Sequence, residues 1–146
     1  MSVINGMNIS ASGMSAQRLR MDIISSNIAN VNTTRDENGN VFRRKTLVFS
    51  EKNSDSFDSV LRSKTDTSGV GGVKVTSIIE DTETPLNLVY DPSHPDANEE
   101  GYVAYPNINT VTEMTNLISA SRSYEANVTA FNATKNMALK GLEVGK

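Results

Sequence analysis

The chain has 146 residues, of which 37% are hydrophobic, enough for one ordinary domain but not for a large core. Its 14 basic and 17 acidic side chains give a net charge of −3, which supplies neither the positive excess of a nucleic-acid binder nor an acidic tail. Cysteine is absent, so there is no disulfide framework and no thiolate site, and no stretch approaches the ~18 apolar residues of a membrane span.

The N-terminus offers no basic n-region and no unbroken apolar h-region, so no cleaved secretory signal is expected. The first predicted element is a helix over residues 8–31, where Met7, Ala11, Met14, Met21, Ile24, Ile28 and Val31 recur at steps of three and four. Met7, Met14, Met21 and Ile28 draw one line along it, and asparagine then takes over at Asn27, Asn30 and Asn32. Gly13 inside the helix costs up to ~1 kcal/mol against alanine but lets another backbone come close. Residues 2–6 are expected to fray.

The middle of the chain differs in kind. Residues 1–35 set Arg18, Arg20 and Arg35 against Asp22, a net +2, residues 106–146 carry +1, and residues 36–105 carry −6. The runs 42–49 (FRRKTLVF) and 73–79 (VKVTSII) have the β-branched and aromatic enrichment of strands. Between them, residues 50–72 are rich in Ser, Asp, Thr and Gly and read as a mobile stretch with a single helical turn around 57–61. Three of the four prolines fall in residues 90–106, predicting an extended, stiffened connection into the last element.

That element is a second helix. Thr110 and Glu113 have the spacing of a capping box, and Met114, Leu117, Ser121, Tyr124, Val128, Phe131, Lys135, Ala138 and Leu142 follow in a three-four rhythm. Lys135 and Lys140 suit a helix C-terminus, and Gly141 offers a stop. The fold class is therefore mainly α with a small β region. The long terminal helices pair as a coiled-coil-like hairpin, residues 1–35 with 106–146, and residues 36–105 form a β-rich middle. The middle has too few apolar residues to cover two amphipathic helices, so the stripes must bury each other and then neighbouring subunits. A monomeric hairpin with the middle folded back over it is the simpler alternative.

Candidate chemistry is sparse. Asp36-x-Asn38-Gly39-Asn40 has the outline of a calcium loop but places Val41 and Leu47 where an EF-hand needs Gly and Glu. His94, the only histidine, lies near Asp91, Asp96, Glu99 and Glu100, but flanking prolines favour a rigid surface loop over a metal or general-base site. Gly69-Val70-Gly71-Gly72 lacks the Lys-Ser/Thr of a P-loop. Arg43-Arg44-Lys45 reads as strand-edge protection or an ion pair with a neighbour. No catalytic residue, cofactor, metal, nucleic acid or small-molecule substrate is predicted.

The run Ser26-Asn27-Ile28-Ala29-Asn30-Val31-Asn32-Thr33-Thr34 resembles the S-N-[IL]-A-N-x-N-T signature of the axial proteins of the bacterial flagellum, the rod, hook and hook-associated family. The basic-aromatic element that follows directly in many members is delayed here to Phe42-Arg43-Arg44-Lys45 by an insert of residues 35–40, a departure similar to a proximal-rod member. Residues 90–103 and the stretch from Asn107 through Glu113, Leu117, Arg122, Tyr124 and Asn127 agree as well. The resemblance implies a subunit that leaves the cell through the flagellar type III export apparatus without a cleaved signal. It then polymerises in the periplasm, with terminal helices as the inner tube. Partners implied are further copies, other proximal and distal rod proteins, and rod-base or export-gate proteins. Met7, Met14, Met21, Ile28, Met114, Leu117, Tyr124, Val128, Phe131 and Leu142 are the predicted packing residues, and Asn27, Ala29, Asn30, Asn32 and Thr33 carry the motif. Asn30 and Asn32 are expected to end the helix through left-handed or turn conformations. Two other readings are a sister protein of the proximal rod, and a periplasmic glycan-binding or hydrolytic module working through His94, Asp96 or Glu99.

Overall fold

The computed structural model describes residues 3–35, 39–52 and 71–144. The Asp36–Asn38 part of the calcium-loop candidate and the predicted turn at 57–61 lie outside the described residues. Among the described residues the elements are, in chain order, α1 (Val3–Ala29), β1 (Lys45–Glu51), β2 (Val73–Glu80), β3 (Asn87–Tyr90), β4 (Tyr102–Tyr105) and α2 (Thr110–Val144). The chain divides into two compact units, one of Met1–Leu19, Val48–Thr76 and Ala120–Lys146, the other of Arg20–Leu47 and Ser77–Ser119.

Helix α1 starts five residues earlier than its periodicity predicts, so of the residues expected to fray, 3–6 belong to it, residue 2 lying outside the described residues. Its C-terminus closes without a left-handed residue, since no described non-glycine residue has positive φ. This corrects the left-handed alternative for Asn30 and Asn32. Asn30 instead turns its amide back to donate to Ser26 O (2.8 Å) and accepts at Oδ1 from the Thr33 hydroxyl (3.2 Å), satisfying backbone groups that a helix end leaves open.

Helix α2 begins at Thr110, but the cap is Asn109, whose Oδ1 accepts from the N–H of Thr112 (3.1 Å). The expected capping box of Thr110 and Glu113 is not formed, because the Glu113 side chain is drawn into the interior. Gly141 does not stop the helix, which runs on to Val144 with Lys140 paired to Glu143 (2.6 Å).

Strands β1 and β2 form one two-stranded sheet and β3 and β4 another. The first is antiparallel: Thr46 reaches Ile79 O, and Ser50 meets Thr76. The second pairs Asn87 with Tyr105 through to Tyr90 with Tyr102, whose rings meet edge to face at 5.3 Å. The proline-rich connection thus contains strand β4 and a compact turn, and β3 lies just before it, neither of which the proline count announces. Gly101 closes that turn at φ +83°, where a Cβ would lie 2.9 Å from the Tyr90 ring.

Among the described residues of the first unit the buried side chains are small: Ser10 and Ala16 on α1, Ala120 on α2. A Cβ on Gly13 would lie 2.8 Å from Oδ1 of Asn127, and one on Gly6 would lie 3.5 Å from Cγ2 of Thr134, so the helices touch through glycine. In the second unit Ile24, Val103, Pro106 and Ile108 form the apolar interior around a buried polar group.

Candidate functional site

The most constrained polar chemistry in the described chain is that buried group. Asn27 has no exposed surface and Glu113 is 1% exposed. The Asn27 side chain answers the backbone of Lys45 in both directions, donating from Nδ2 to Lys45 O (2.8 Å) and accepting at Oδ1 from Lys45 N–H (3.0 Å). It behaves as a neighbouring strand residue would, closing the first rung of β1. Its second amide hydrogen goes to Glu113 Oε2 (3.0 Å), so O and N of this amide are distinguished by their partners.

Arg44 completes the set, with Nε at 2.9 Å and Nη2 at 2.8 Å from Glu113 Oε1. The Arg44 N–H donates to Oδ1 of Asn107 (3.0 Å), whose Nδ2 donates to the carbonyls of Asp81 and Thr84. Two carboxylate oxygens, one guanidinium and two amides thus tie α1, β1, the end of β2 and the first turn of α2. A buried carboxylate is tolerable only with such partners, since removing one strands a charge in a dry place. The basic cluster at residues 43–45 therefore finds its partners within the chain: Arg43 on Asp81 O, Arg44 on Glu113, Lys45 on Glu80 at 3.5 Å.

Around the 91–101 turn, Thr34 donates to Asp96 Oδ2 (2.7 Å) and Arg35 pairs with Asp96 Oδ1 (3.0 Å). His94 Nδ1 accepts from the Asp96 N–H (3.1 Å), and its ring meets Tyr105 edge-on at 6.5 Å. Asp81 accepts from the N–H and hydroxyl of Thr84 and the N–H of Glu83, which hold its carboxyl below the usual 3.8; the Ser93 hydroxyl and N–H do the same for Asp91. Among the described residues no three His, Cys, Asp or Glu side chains are placed to hold a metal, and no helix is long and apolar enough to cross a membrane. An open groove of about 370 Å3 runs past Asn32, Val89 and Tyr105.

The predicted packing residues Met7, Met14, Met21 and Ile28 are all half-buried. On α2 Leu117, Tyr124, Val128 and Phe131 are half-buried, whereas Met114 is 51% and Leu142 72% exposed. Of the motif residues Asn27 is fully buried, Asn30 and Thr33 are half-buried, and Ala29 and Asn32 are exposed. Sequence reasoning gave Arg44 an ion pair with a neighbour rather than with Glu113 of the same chain, and did not single out Asn107 and Asn127 as contact residues. A signal was available for Asn127 alone, in Gly13, which it meets.

Residues 7–35 match the family described as Flagella basal body rod protein, and residues 99–144 match Flagellar basal body rod FlgEFG protein C-terminal. The chain is 51% identical over 152 aligned residues to the flagellar basal-body rod protein FlgC of Bacillus subtilis, covering 100% of both. It belongs to the FlgC family of flagellar basal-body rod proteins. FlgC of Borreliella burgdorferi is 42% identical, with 99% of this chain and 98% of the relative covered, and FlgC of Salmonella typhimurium is 39% identical with both covered in full. Asn27 falls inside the first of these two family matches and Glu113 inside the second, while Arg44 and Lys45 lie between them. The role is that of a structural rod subunit, not an enzyme.

Proposed function

We propose that this chain polymerises through its terminal helices into the proximal part of the flagellar rod and transmits motor torque along it. The observation that carries the reading is identity with rod proteins over the whole chain, at 51% for one relative. Residues 1–35 and 106–146 form the axial part as a coiled-coil-like hairpin, and 36–105 the outer part. The glycine contacts at Gly6 and Gly13 support close pairing of the helices. Apolar side chains left half-buried or exposed on both helices support a second layer of contacts to neighbouring subunits. Each such side chain contributes ~1–3 kcal/mol when covered, so a closed tube needs no single strong joint.

The subunit reaches the periplasm through the flagellar type III export apparatus, and its neighbours are copies of itself, other proximal and distal rod proteins, and rod-base or export-gate proteins. The sister proximal rod protein B is not favoured, since the full-length relatives carry the FlgC name. A cell-wall hydrolase is not favoured either, since Asp96 is taken up by Thr34 and Arg35, and His94 by the Asp96 backbone. Met14→Asp and Leu117→Asp are expected to leave expression intact and to abolish rod assembly, read as motility and as the protein's presence in isolated basal bodies. Normal swimming in both variants contradicts the proposal.

A further inference from the structure

We infer that Asn27 and Glu113 set the register of α1 on α2, selecting between two alignments that the glycine part of the contact line tolerates. That line repeats every seven residues on each helix: Gly6, Gly13, Arg20 and Asn27 on α1, and Glu113, Ala120, Asn127 and Thr134 on α2. The meetings observed are Gly6 with Thr134, Gly13 with Asn127, and Asn27 with Glu113.

Sliding α1 by one heptad keeps the same stripe toward α2, because a seven-residue step returns each side chain almost to its original direction. The slide brings Gly6 to Asn127, Gly13 to Ala120 and Arg20 to Glu113. At the first two meetings a glycine leaves room, whereas Arg20 would have to enter the fully buried Asn27 site, where Arg44 already holds Glu113. The glycine part of the line therefore does not choose between the two registers.

Asn27 does choose. In the slid register it would pass beyond the first turn of α2 to the level of Pro106, leaving Lys45 N–H, Lys45 O and Glu113 behind. Arg20, arriving in its place, has no acceptor to offer the Lys45 N–H. Glu113 is meanwhile held by Arg44 in the observed register, so the guanidinium that a slide would bring has no vacancy to fill. One buried asparagine at a seam position is the device by which paired helices fix register at some cost in stability.

The chain lacks cysteine, so introduced pairs are its only thiols. Cysteines replacing Gly13 and Asn127 report the observed register, and cysteines replacing Gly6 and Asn127 report the slid one. In the purified full chain with Asn27 in place, oxidation is expected to form the intrachain disulfide in the first pair and to leave the second reduced. Arg20→Asn combined with Asn27→Ala moves the amide back one heptad, and the cross-link is expected to pass to the Gly6 and Asn127 pair. Cross-linking that stays with Gly13 and Asn127 in that background overturns the inference, as does equal cross-linking of both pairs in the parent chain. If the double change removes the helical circular dichroism signal, Asn27→Leu alone poses the same question with the volume preserved, since it removes all three Asn27 bonds. A share of molecules cross-linking through Gly6 and Asn127 supports the lock, and none overturns it.

Discussion

The Asn27 side chain uses both amide hydrogens and its oxygen in a site with no exposed surface, which makes it sensitive to changes of one atom. Asn27→Ala leaves Lys45 N–H, Lys45 O and one Glu113 oxygen short of partners, and is expected to lower the unfolding free energy by roughly 2–4 kcal/mol in urea denaturation. Asn27→Asp keeps the shape but sets an acceptor against Glu113 and Lys45 O, and is expected to be worse than alanine. The reverse order would show that volume, not polarity, governs the position. Gly13 poses a closer balance. Alanine there gains up to ~1 kcal/mol of helix propensity but presses on the Asn127 amide, which is held to Ser123 O at 2.8 Å and is worth about as much. Gly13→Ala should therefore be neutral within about 0.5 kcal/mol, and Gly13→Ala with Asn127→Ala more stable than either single variant.

Helix α2 shows how a sequence signal can point to the right place for the wrong reason. The Thr110 and Glu113 spacing located its start, yet Asn109 is the cap, because Arg44 and Asn27 hold the Glu113 carboxylate and no local motif reveals partners 69 and 86 residues away. Asn109→Ala should cost about 1 kcal/mol in thermal or urea unfolding while Thr110→Ala stays near zero, and the opposite result would restore the capping box. The two helices and strands β1 and β2 were legible because their periods are long or their β-branched runs dense. Strands β3 and β4, four residues each, were too short to show a period beside prolines. The close approach at Gly13 is legible from its missing side chain, whereas its continuation through Gly6 is not, because methionines at 7, 14 and 21 signal apolarity louder than a lone glycine signals closeness. The turn after β2 adds a pH signature. Hydrogen bonds from Thr84 and Glu83 depress the Asp81 carboxyl below its usual 3.8, so its contribution to stability is complete above that value and fades as the pH falls through the lowered one. Asp81→Asn should flatten the part of the acid-unfolding curve below about pH 4.

For the chain as a whole, what decides function is how much apolar surface the isolated molecule leaves uncovered. Along α2 Val111, Met114 and Ile118 are exposed on one side of the helix, and Met137, Leu139 and Leu142 are exposed near its end. An aspartate at such a position stays hydrated in the free chain, where surface substitutions usually change stability by no more than about 0.5 kcal/mol. Covered by a neighbouring subunit, the same carboxylate would be stripped of water without a partner, a penalty large enough to outweigh the ~1–3 kcal/mol that a buried methionine contributes. Met114→Asp, at a residue 51% exposed, separates the two situations more cleanly than a half-buried position can. The purified variant is expected to keep the parent's melting curve, while cells carrying it make no rods and do not swim. A variant that melts normally and supports full motility would remove the exposed side of α2's first turns from the assembly surface. One that melts early would mean that Met114 belongs to the chain's own interior.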